Sequence, residues 1–320
     1  MKRVGGSYVP AAGYLGERLA AMPEFHHPSL PAYELHEYAP LLDSSDMRPA
    51  DWQAVADDIH AHYGAFDGFV VLHGTDTMAY TASALSFMLE HLAKPVILTG
   101  SQIPLAEVRS DARENLITSL LLAAEHRIPE VCIYLNGTLL RGNRATKVSA
   151  SGFGAFASPN FPALAEVGVN VTLQQDRLRP VPTKTFQVQR LKPVQVAALR
   201  LFPGISAESL ANFLQAPLQG LVLETYGAGN APSRDEALLS VLRRAGERGV
   251  VIVNCTQCLR GRVAADYAGG SALQQAGLVS GLDMTPEAAL TKLIYLLSQD
   301  LSPQAVRSRI AQDLRGEVTV

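Results

Sequence analysis

Apolar residues along the chain form two patterns, a spacing typical of helices and short continuous runs typical of buried strands. The continuous apolar run Phe69–Leu72 has the length of a strand that is buried on both faces. Ahead of it, apolar residues recur at helical spacing at Trp52, Val55, Ala56, Ile59 and Tyr63. Because proline is favoured in the first turn of a helix, the pattern predicts a helix that begins at Pro49.

The same alternation continues through most of the chain. Further strands are predicted at Pro95–Leu98, Val131–Leu135, Val194–Leu201, Leu221–Leu223 and Val250–Val253. Further helices are predicted at Thr77–Leu92, around Asn115–Glu125, at Ser206–Gln215, at Arg234–Arg248 and after the cap sequences Thr285-Pro286 and Ser302-Pro303. Strand–helix–strand units of this length predict parallel sheets with helices on both faces, which is the α/β class.

The alternation is interrupted between residues 136 and 193, where Asn, Gly, Ser and Pro are frequent, followed by a mixed Arg, Pro, Lys and Gln stretch. An irregular segment of that length is unusual inside one domain, so it predicts a functional loop followed by an interdomain linker. We therefore expect a larger N-terminal parallel-sheet α/β domain over 1–178, a linker over 179–193, and a smaller C-terminal parallel-sheet domain over 194–320.

Composition narrows the class of protein. Hydrophobic residues make up 48% of the 320 positions and charged residues 18%, which argues against a disordered chain. The net charge is −3, without the long Lys/Arg runs of a nucleic-acid binder. Apolar stretches are too short to span a membrane, and the first residues lack the apolar core of a signal peptide. Three cysteines cannot form a disulfide framework, so a cytoplasmic location is expected.

Polar residues after the predicted strands are the first candidates for chemistry, because ligands bind outside the carboxyl ends of the strands in open parallel sheets. These residues are Thr75, Asp76, Thr99, Ser101, Gln102, Thr225 and Asn230. Hydroxyl, carboxylate and amide groups at strand ends suit a small polar substrate. Thr75 or Asp76 could equally be the N-cap of the following helix.

Two other motifs carry potential chemistry. Cys255 and Cys258 have the spacing of a zinc or redox pair, but zinc needs two more ligands and no second cysteine pair exists, so ordinary half-buried thiols are the preferred interpretation. Lys147 lies in a polar loop; a desolvated lysine there could act as a base, whereas most lysines in such loops are exposed. The glycine motifs of nucleotide-binding proteins are absent.

Four sequence blocks, in this order, resemble bacterial L-asparaginases and are most similar to the cytoplasmic type I branch. The blocks are Asp43-Ser44-Ser45-Asp46-Met47, His73-Gly74-Thr75-Asp76-Thr77-Met78, Thr99-Gly100-Ser101-Gln102 and Gly142-Asn143-Arg144-Ala145-Thr146-Lys147. The likeness extends from about Gly6 to the C-terminus. It implies a two-domain α/β enzyme, without metal or organic cofactor, that hydrolyses the side-chain amide of asparagine to aspartate and ammonia.

The resemblance also implies roles for individual residues. Thr75, Asp76 and Lys147 match a catalytic triad in which the lysine takes a proton, and Tyr8 matches the tyrosine of a mobile lid that assists the nucleophile. The implied substrate-binding residues are Asp43, Ser44, Ser45, Thr75, Asp76, Ser101 and Asn230. Asp76 matches the carboxylate that binds the substrate's α-ammonium group. Since the family's sites lie between subunits, a homo-oligomer (dimer or tetramer) is expected, with Asn230 contributed by a second subunit.

The chain departs from the family at its start. The family's first strand ends in Thr-Gly-Gly-Thr-Ile, whose second threonine is the nucleophile. Here Met1-Lys2-Arg3-Val4 continues into Gly5-Gly6-Ser7-Tyr8, which matches the lid loop that follows the strand. We expect that the sequence as given omits a piece of the natural chain, because a sheet that lacks an internal strand would leave buried backbone groups unpaired. A defective relative is the alternative.

An effector site and several other functions stay open. Some cytoplasmic members bind a second asparagine, and the matching residues here are Thr146, Thr256, Gln257 and Cys258. Glu224 stands where those members have an arginine, and it would repel an effector's carboxylate. The alternatives to an asparaginase are a glutamine-preferring amidase, an amidotransferase subunit and a non-catalytic amino-acid sensor.

Overall fold

The predicted alternation of strands and helices is present in the computed structural model, which describes residues 2–264 and 268–319. The chain forms two units, one made of Met1–Ser158 with Pro162–Val188 and the other of Pro159–Phe161 with Gln189–Val320. Each unit contains parallel strands together with helices. The predicted α/β class is confirmed.

The first unit contains the longer list of elements. Its helices are α1 (Tyr14–Ala20), α2 (Pro49–His62), α3 (Met78–Met88) and α4 (Ala112–Glu125). Its strands are β1 (Lys2–Val4), β2 (Ser7–Val9), β3 (Phe69–Leu72), β4 (Leu89–Glu90), β5 (Val96–Thr99), β6 (Val131–Leu135), β7 (Thr138–Arg141), β8 (Thr146–Lys147), β9 (Phe156–Ala157), β10 (Ala165–Val167), β11 (Val171–Leu173) and β12 (Gln187–Val188).

The main sheet of this unit, within the described residues, has the strand order β11-β10-β7-β6-β5-β3. β3, β5 and β6 are parallel to one another, whereas β7, β10 and β11 extend the sheet as antiparallel strands. Sequence analysis assigned these added strands to an irregular loop. With three or four residues each, they are too short to give a clear apolar period.

Helix α3 is shorter than predicted and has a different cap. It ends at Met88, and β4 follows, which pairs with β12 inside the predicted linker. The N-cap position belongs to Thr77, whose hydroxyl donates to the Ser44 carbonyl oxygen at 2.6 Å. The interpretation of Thr75 or Asp76 as the N-cap is therefore wrong, because both lie before the cap and their side chains make other contacts.

The second unit has a parallel sheet of strand order β13-β14-β15-β16 in the described ranges. Its elements are β13 (Val196–Arg200), α5 (Ala207–Phe213), β14 (Gly220–Thr225), α6 (Glu236–Glu247), β15 (Val251–Thr256), α7 (Ala268–Gln275), β16 (Val279–Ser280), α8 (Pro286–Leu297) and α9 (Pro303–Ile310). The hydroxyls of Thr285 and Ser302 cap α8 and α9 as predicted. None of the helices in residues 2–264 and 268–319 is long and apolar enough to cross a membrane.

Strand β3 forms one edge of the main sheet. Within the described part of the chain it pairs with β5 on one side only. Leu72 is 41% exposed and the other β3 residues are half-buried, whereas all four residues of β5 are buried. A strand that is paired on one side only and has an exposed apolar side chain is well suited to pair with another strand.

Candidate active site

Lys147 lies between the hydroxyl group of Thr75 and the carboxylate of Asp76. Its Nζ donates to Thr75 Oγ1 at 2.8 Å and to Asp76 Oδ1 at 2.7 Å. Thr75 and Asp76 follow β3, and Lys147 is the second residue of β8, which pairs with β9. The side chain of Lys147 is 20% exposed and that of Asp76 is 67% exposed. The fold therefore brings together the three residues that the resemblance selects as a triad.

The Thr75 hydroxyl has a further partner in Gln102. Thr75 Oγ1 donates to Gln102 Oε1 at 3.0 Å, and Gln102 Nε2 donates to the carbonyl oxygen of Gly152 at 3.1 Å. Sequence analysis named both Ser101 and Gln102 after this strand and predicted that Ser101 binds substrate, which stays a prediction; the Thr75 hydroxyl donates to Gln102. The polar block after β5 was the available signal. It could not indicate which of two adjacent side chains reaches Thr75.

Ser44 and Ser45 lie in a 3-10 turn that packs directly on Gly74. A β-carbon at residue 74 would stand 2.3 Å from Ser44 Oγ and 2.8 Å from Ser44 Cβ. Asp43 Oδ1 accepts hydrogen bonds from the Ser45 hydroxyl at 2.6 Å and the Ser45 backbone at 3.0 Å, and these bonds lower the pKa of Asp43. Together with the hydrogen bond from Thr77, the close packing holds this turn beside the segment that carries the Thr-Asp pair.

A chain of hydrogen bonds fixes the backbone just before Thr75. Trp52 Nε1 donates to Thr81 Oγ1 at 3.1 Å, Thr81 Oγ1 lies 2.9 Å from His73 Nε2, and His73 Nδ1 lies 2.6 Å from the Gly74 carbonyl oxygen. Burial lowers the pKa of His73, which favours the neutral ring. Because a carbonyl can only accept, Nδ1 carries the proton and Nε2 accepts from Thr81. Sequence analysis gave His73 no role.

A buried ion pair supports the strand that precedes the lysine loop. Arg141, the last residue of β7, donates through Nη2 to Glu130 Oε1 at 3.1 Å, and their side chains are 7% and 2% exposed. The same Nη2 donates to the Arg177 carbonyl oxygen, and Glu130 Oε1 accepts from the Arg179 backbone, both at 2.7 Å. A buried 3-10 turn then leads from β7 to β8. The ion pair thus fixes the point where the Lys147 loop begins.

Tyr8, the predicted lid residue, is 40% exposed. Its hydroxyl donates to Glu107 Oε1 at 2.7 Å. Glu107 belongs to the loop between β5 and α4, which also contains Gln102. The assisting role of Tyr8 toward a nucleophile stays a prediction.

Asn230, in the second unit, closes a turn after β14. Its backbone exchanges two hydrogen bonds with Tyr226, at 2.7 and 2.9 Å. Among the described residues, the Asn230 Oδ1 atom is buried and has no hydrogen-bond partner. The contribution of Asn230 to a site in another subunit stays a prediction.

The candidate effector residues of the second unit hydrogen-bond within the unit. Thr256 Oγ1 donates to the Gly227 carbonyl oxygen at 2.5 Å, and Gln257 Nε2 donates to the Leu201 carbonyl oxygen at 2.6 Å. Cys258 is exposed. Their role in binding an effector stays a prediction.

Thr146 and Glu224, the other two residues of the effector-site prediction, lie in different units. Thr146 is the first residue of β8, next to the lysine in the first unit. Glu224, in β14 of the second unit, has a carboxylate oxygen 3.8 Å from Arg200 Nη1. A carboxylate that is partly neutralised by Arg200 is still not an anion-binding group.

The cysteine pair does not form a disulfide. Cys255 is buried and Cys258 is exposed, and both are free. Burial raises the pKa of Cys255 to about 12, which is typical of an unreactive thiol. In the described ranges, no group of three or more His, Cys, Asp and Glu residues is arranged to hold a metal ion.

Fold and site together define a two-domain α/β protein in which a hydroxyl, an amine and a carboxylate meet at the carboxyl end of a parallel strand. The chain belongs to the asparaginase family. Residues 3–179 match the model of the asparaginase N-terminal domain, and residues 195–309 match that of the glutaminase/asparaginase C-terminal domain.

The chain is similar to named proteins and to a protein whose crystal structure is known. L-asparaginase 1 of Escherichia coli strain K12 is 52% identical over 320 residues, which are 100% of this chain and 94% of that protein. The crystal structure of L-asparaginase I from Vibrio cholerae superposes with a TM-score of 0.93 at 53% identity, covering 100% of this chain and 95% of that one. The 60 kDa lysophospholipase of Mus musculus is 52% identical over 90% of this chain, but the match covers 51% of that longer protein.

Proposed function

We propose that this protein is an amidohydrolase that converts L-asparagine to L-aspartate and ammonia. The observation that carries the proposal is the position of Lys147 Nζ, 2.8 Å from Thr75 Oγ1 and 2.7 Å from Asp76 Oδ1. It is supported by 52% identity, over the whole chain, to a protein named L-asparaginase 1. A hydroxyl and an amine in contact can pass a proton, and a carboxylate can bind an amino acid's ammonium group.

The proposed reaction adds a hydroxyl oxygen to the carboxamide carbon and releases the amide nitrogen as ammonia. Thr75 accepts the proton of the attacking hydroxyl while it passes its own proton to the amine form of Lys147. That proton then goes to the leaving nitrogen, which departs as ammonia. If the attacking hydroxyl is a water, aspartate forms directly. If it is a threonine's, an ester forms, and a water that loses its proton along the same path hydrolyses it to aspartate and restores the threonine, so one water is consumed in either case. Asp76, next to Lys147, stabilises the ammonium form that exists between the two transfers.

Substrate binding is proposed for the polar groups around the triad. Asp76 binds the α-ammonium group, and Ser44 and Ser45 bind the α-carboxylate, with Asp43 ordering their turn. Ser101, next to Gln102 in the segment after β5, is proposed to make a further contact with the substrate. Asn230 and Tyr8 are proposed to complete the site, from a second subunit and from the lid.

We also propose that a strand ending in Thr-Gly-Gly-Thr pairs with the open edge of β3 and supplies the attacking hydroxyl. Support comes from the partial exposure of β3 and the 41% exposure of Leu72. A strand that pairs in parallel with β3 would have its carboxyl end beside the carboxyl end of β3, where the segment that carries Thr75 begins. Without that strand, a water activated by Thr75 and Lys147 is the remaining nucleophile.

Assembly, location and regulation are proposed from the family resemblance. The protein is proposed to be a cytoplasmic homo-oligomer, a dimer or a tetramer, with sites at subunit interfaces. Glu224, paired with Arg200 at 3.8 Å, is proposed to prevent a second asparagine from acting as an effector through Thr146, Thr256, Gln257 and Cys258.

Ammonia release tests the proposed reaction. L-asparagine and L-glutamine are compared as substrates, and binding of each is measured by calorimetry in parallel. We expect ammonia from L-asparagine by the protein that carries the added Thr-Gly-Gly-Thr strand, with loss of that activity in Lys147→Met. Faster release from L-glutamine would identify the glutamine-preferring alternative. Binding of L-asparagine without ammonia, even after the Thr-Gly-Gly-Thr strand is supplied, would identify an amino-acid sensor.

A further inference from the structure

Gln102 is the partner of the Thr75 hydroxyl that the proposed triad does not include. We propose that Gln102 is a positioning residue, whose amide holds the Thr75 oxygen beside Lys147 Nζ and connects Thr75 to the loop that follows Lys147. The proposal rests on the amidohydrolase function proposed above, in which Thr75 relays a proton.

The orientation of the Gln102 amide follows from its two partners. Nε2 lies 3.1 Å from the carbonyl oxygen of Gly152, which can only accept, so the NH2 group points to Gly152. The amide oxygen therefore points to Thr75, 3.0 Å away, and the hydroxyl is the donor in that bond. Both the oxygen and the NH2 group of the amide are hydrogen-bonded, so a flip of the amide would break both hydrogen bonds.

The backbone of Gln102 is held independently of its side chain. The carboxylate of Asp111 accepts from the Gln102 backbone N–H at 3.1 Å and from the Ile103 N–H at 3.0 Å. Asn115 donates to the same carboxylate at 3.1 Å and to the Gly100 carbonyl oxygen at 3.0 Å. These bonds fix the segment after β5, so the Gln102 side chain extends from a rigid base.

The hydrogen bonds of Thr75 define what its hydroxyl can do. Its oxygen accepts from Lys147 Nζ at 2.8 Å while its proton lies on Gln102. When Lys147 is in its amine form, the hydroxyl turns its proton from Gln102 to Nζ. One lone pair of the oxygen remains for an incoming hydroxyl group. An amide oxygen is too weak a base to take the proton, so Gln102 orders the hydroxyl without competing with Lys147 as the proton acceptor.

The hydrogen bond from Gln102 to Gly152 connects the Thr75 hydroxyl to the loop that follows Lys147. The Gly152 N–H donates to Ser149 Oγ at 2.9 Å, and the Val148 N–H, directly after Lys147, donates to the Ala155 carbonyl oxygen at 2.8 Å. Gln102 thus joins the segments after β3, β5 and β8. Loss of its amide should disorder the relay and leave the groups that bind substrate in place.

Two substitutions at Gln102 separate a positioning role from a structural one. Gln102→Met keeps the length of the side chain but removes both hydrogen bonds. In the protein with the added Thr-Gly-Gly-Thr strand, we expect kcat for asparagine to fall about tenfold, with KM changed less than about twofold. Gln102→Glu places a carboxylate near Lys147, which favours the charged lysine; we expect the acid limb of the kcat profile to move up by about one pH unit. Gln53→Met, on α2, is the matched control and should match the wild type.

A second measurement does not require turnover. The rate at which Lys147 is acetylated by acetic anhydride is followed by mass spectrometry across a pH series, with Lys94 as the internal reference. In Gln102→Glu, we expect the pH of half-maximal Lys147 labelling to rise by about one unit, with no change at the reference. The same pH in both proteins would overturn the proposal, as would a Gln102→Met variant that changes only KM. Absence of ammonia from the protein with the added Thr-Gly-Gly-Thr strand would count against the proposed function alone, since the labelling result is independent of it.

Discussion

Gly74 and Ser44 are packed so closely that residue 74 has no room for a side chain. A β-carbon there would stand 2.3 Å from Ser44 Oγ and 2.8 Å from Ser44 Cβ. The second distance involves an atom fixed by the backbone, so the turn itself would have to move. The contact links the turn that carries the predicted carboxylate-binding serines to the segment that carries Thr75 and Asp76.

Gly74→Ala should therefore destabilise the protein and weaken substrate binding. Overpacking of this kind costs about 1–3 kcal/mol, because the Ser44 turn must shift and its hydrogen bond from Thr77 is strained. Ser44→Gly in the same chain removes both clashing atoms and should restore the free energy of unfolding measured in denaturant, while binding stays weak. A Gly74→Ala protein as stable as the wild type would show that the two residues are not in contact.

Asp76→Asn should weaken the binding of L-asparagine and leave the fold intact. Asp76 is 67% exposed, and an asparagine in its place keeps a side-chain oxygen that can accept from Lys147 Nζ. Loss of a charge-assisted bond to the substrate's ammonium group costs about 2 kcal/mol, or about thirtyfold in Kd. Calorimetric titration of the two proteins measures the difference. An unchanged Kd would remove Asp76 from the binding site.

Lys147→Met should lower turnover far more than it raises KM, because a proton acceptor acts in the transition state. We expect kcat to fall by a factor on the order of 10²–10⁴. Steady-state ammonia release by the protein with the added Thr-Gly-Gly-Thr strand, over a range of asparagine concentrations, separates the two constants. A change confined to KM would make Lys147 a binding residue.

Stability should fall as the pH is lowered through the normal pKa of histidine, about 6.5. Burial lowers the pKa of His73, so below that pH the unfolded chain binds a proton that the folded chain does not. Stability is therefore present above about pH 6.5 and is lost as the pH falls from there toward the lower folded-state pKa. Unfolding in denaturant between pH 5 and 8 measures this loss. His73→Gln should show a smaller loss, and an identical pH dependence would contradict the assignment of a neutral ring.

Much of the fold could be predicted from apolar periodicity. The strand Val131–Leu135 has the predicted bounds, and the helix from Pro49 buries Trp52, Val55, Ala56 and Ile59 as its spacing indicates. The two-residue strands β8 and β9 carry no periodic signal, although their pairing places Lys147. Local sequence patterns do not predict such short strands, because tertiary packing determines which strands pair.

The candidate site was predictable only in part. The sequence blocks indicate which residues matter, but Thr75 and Lys147 are 72 positions apart and their contact depends on the whole first unit. The contact between Gln102 and Thr75 illustrates the limit: Ser101 and Gln102 were both candidates after β5, and side-chain direction in a bend has no sequence period. The chain of hydrogen bonds from Trp52 through Thr81 to His73 joins three elements, and no local sequence pattern indicates it.

The most direct test of the account compares ammonia release from L-asparagine by two proteins at equal concentration. One is the 320-residue chain, and the other carries an added N-terminal strand that ends in Thr-Gly-Gly-Thr. We predict little or no release by the first and vigorous release by the second, since loss of a covalent nucleophile often costs several orders of magnitude in rate. Comparable, vigorous activity of both would mean that Thr75 and Lys147 suffice without that threonine. No release by either would contradict the assignment of Thr75, Asp76 and Lys147 as the centre of an asparagine amidohydrolase.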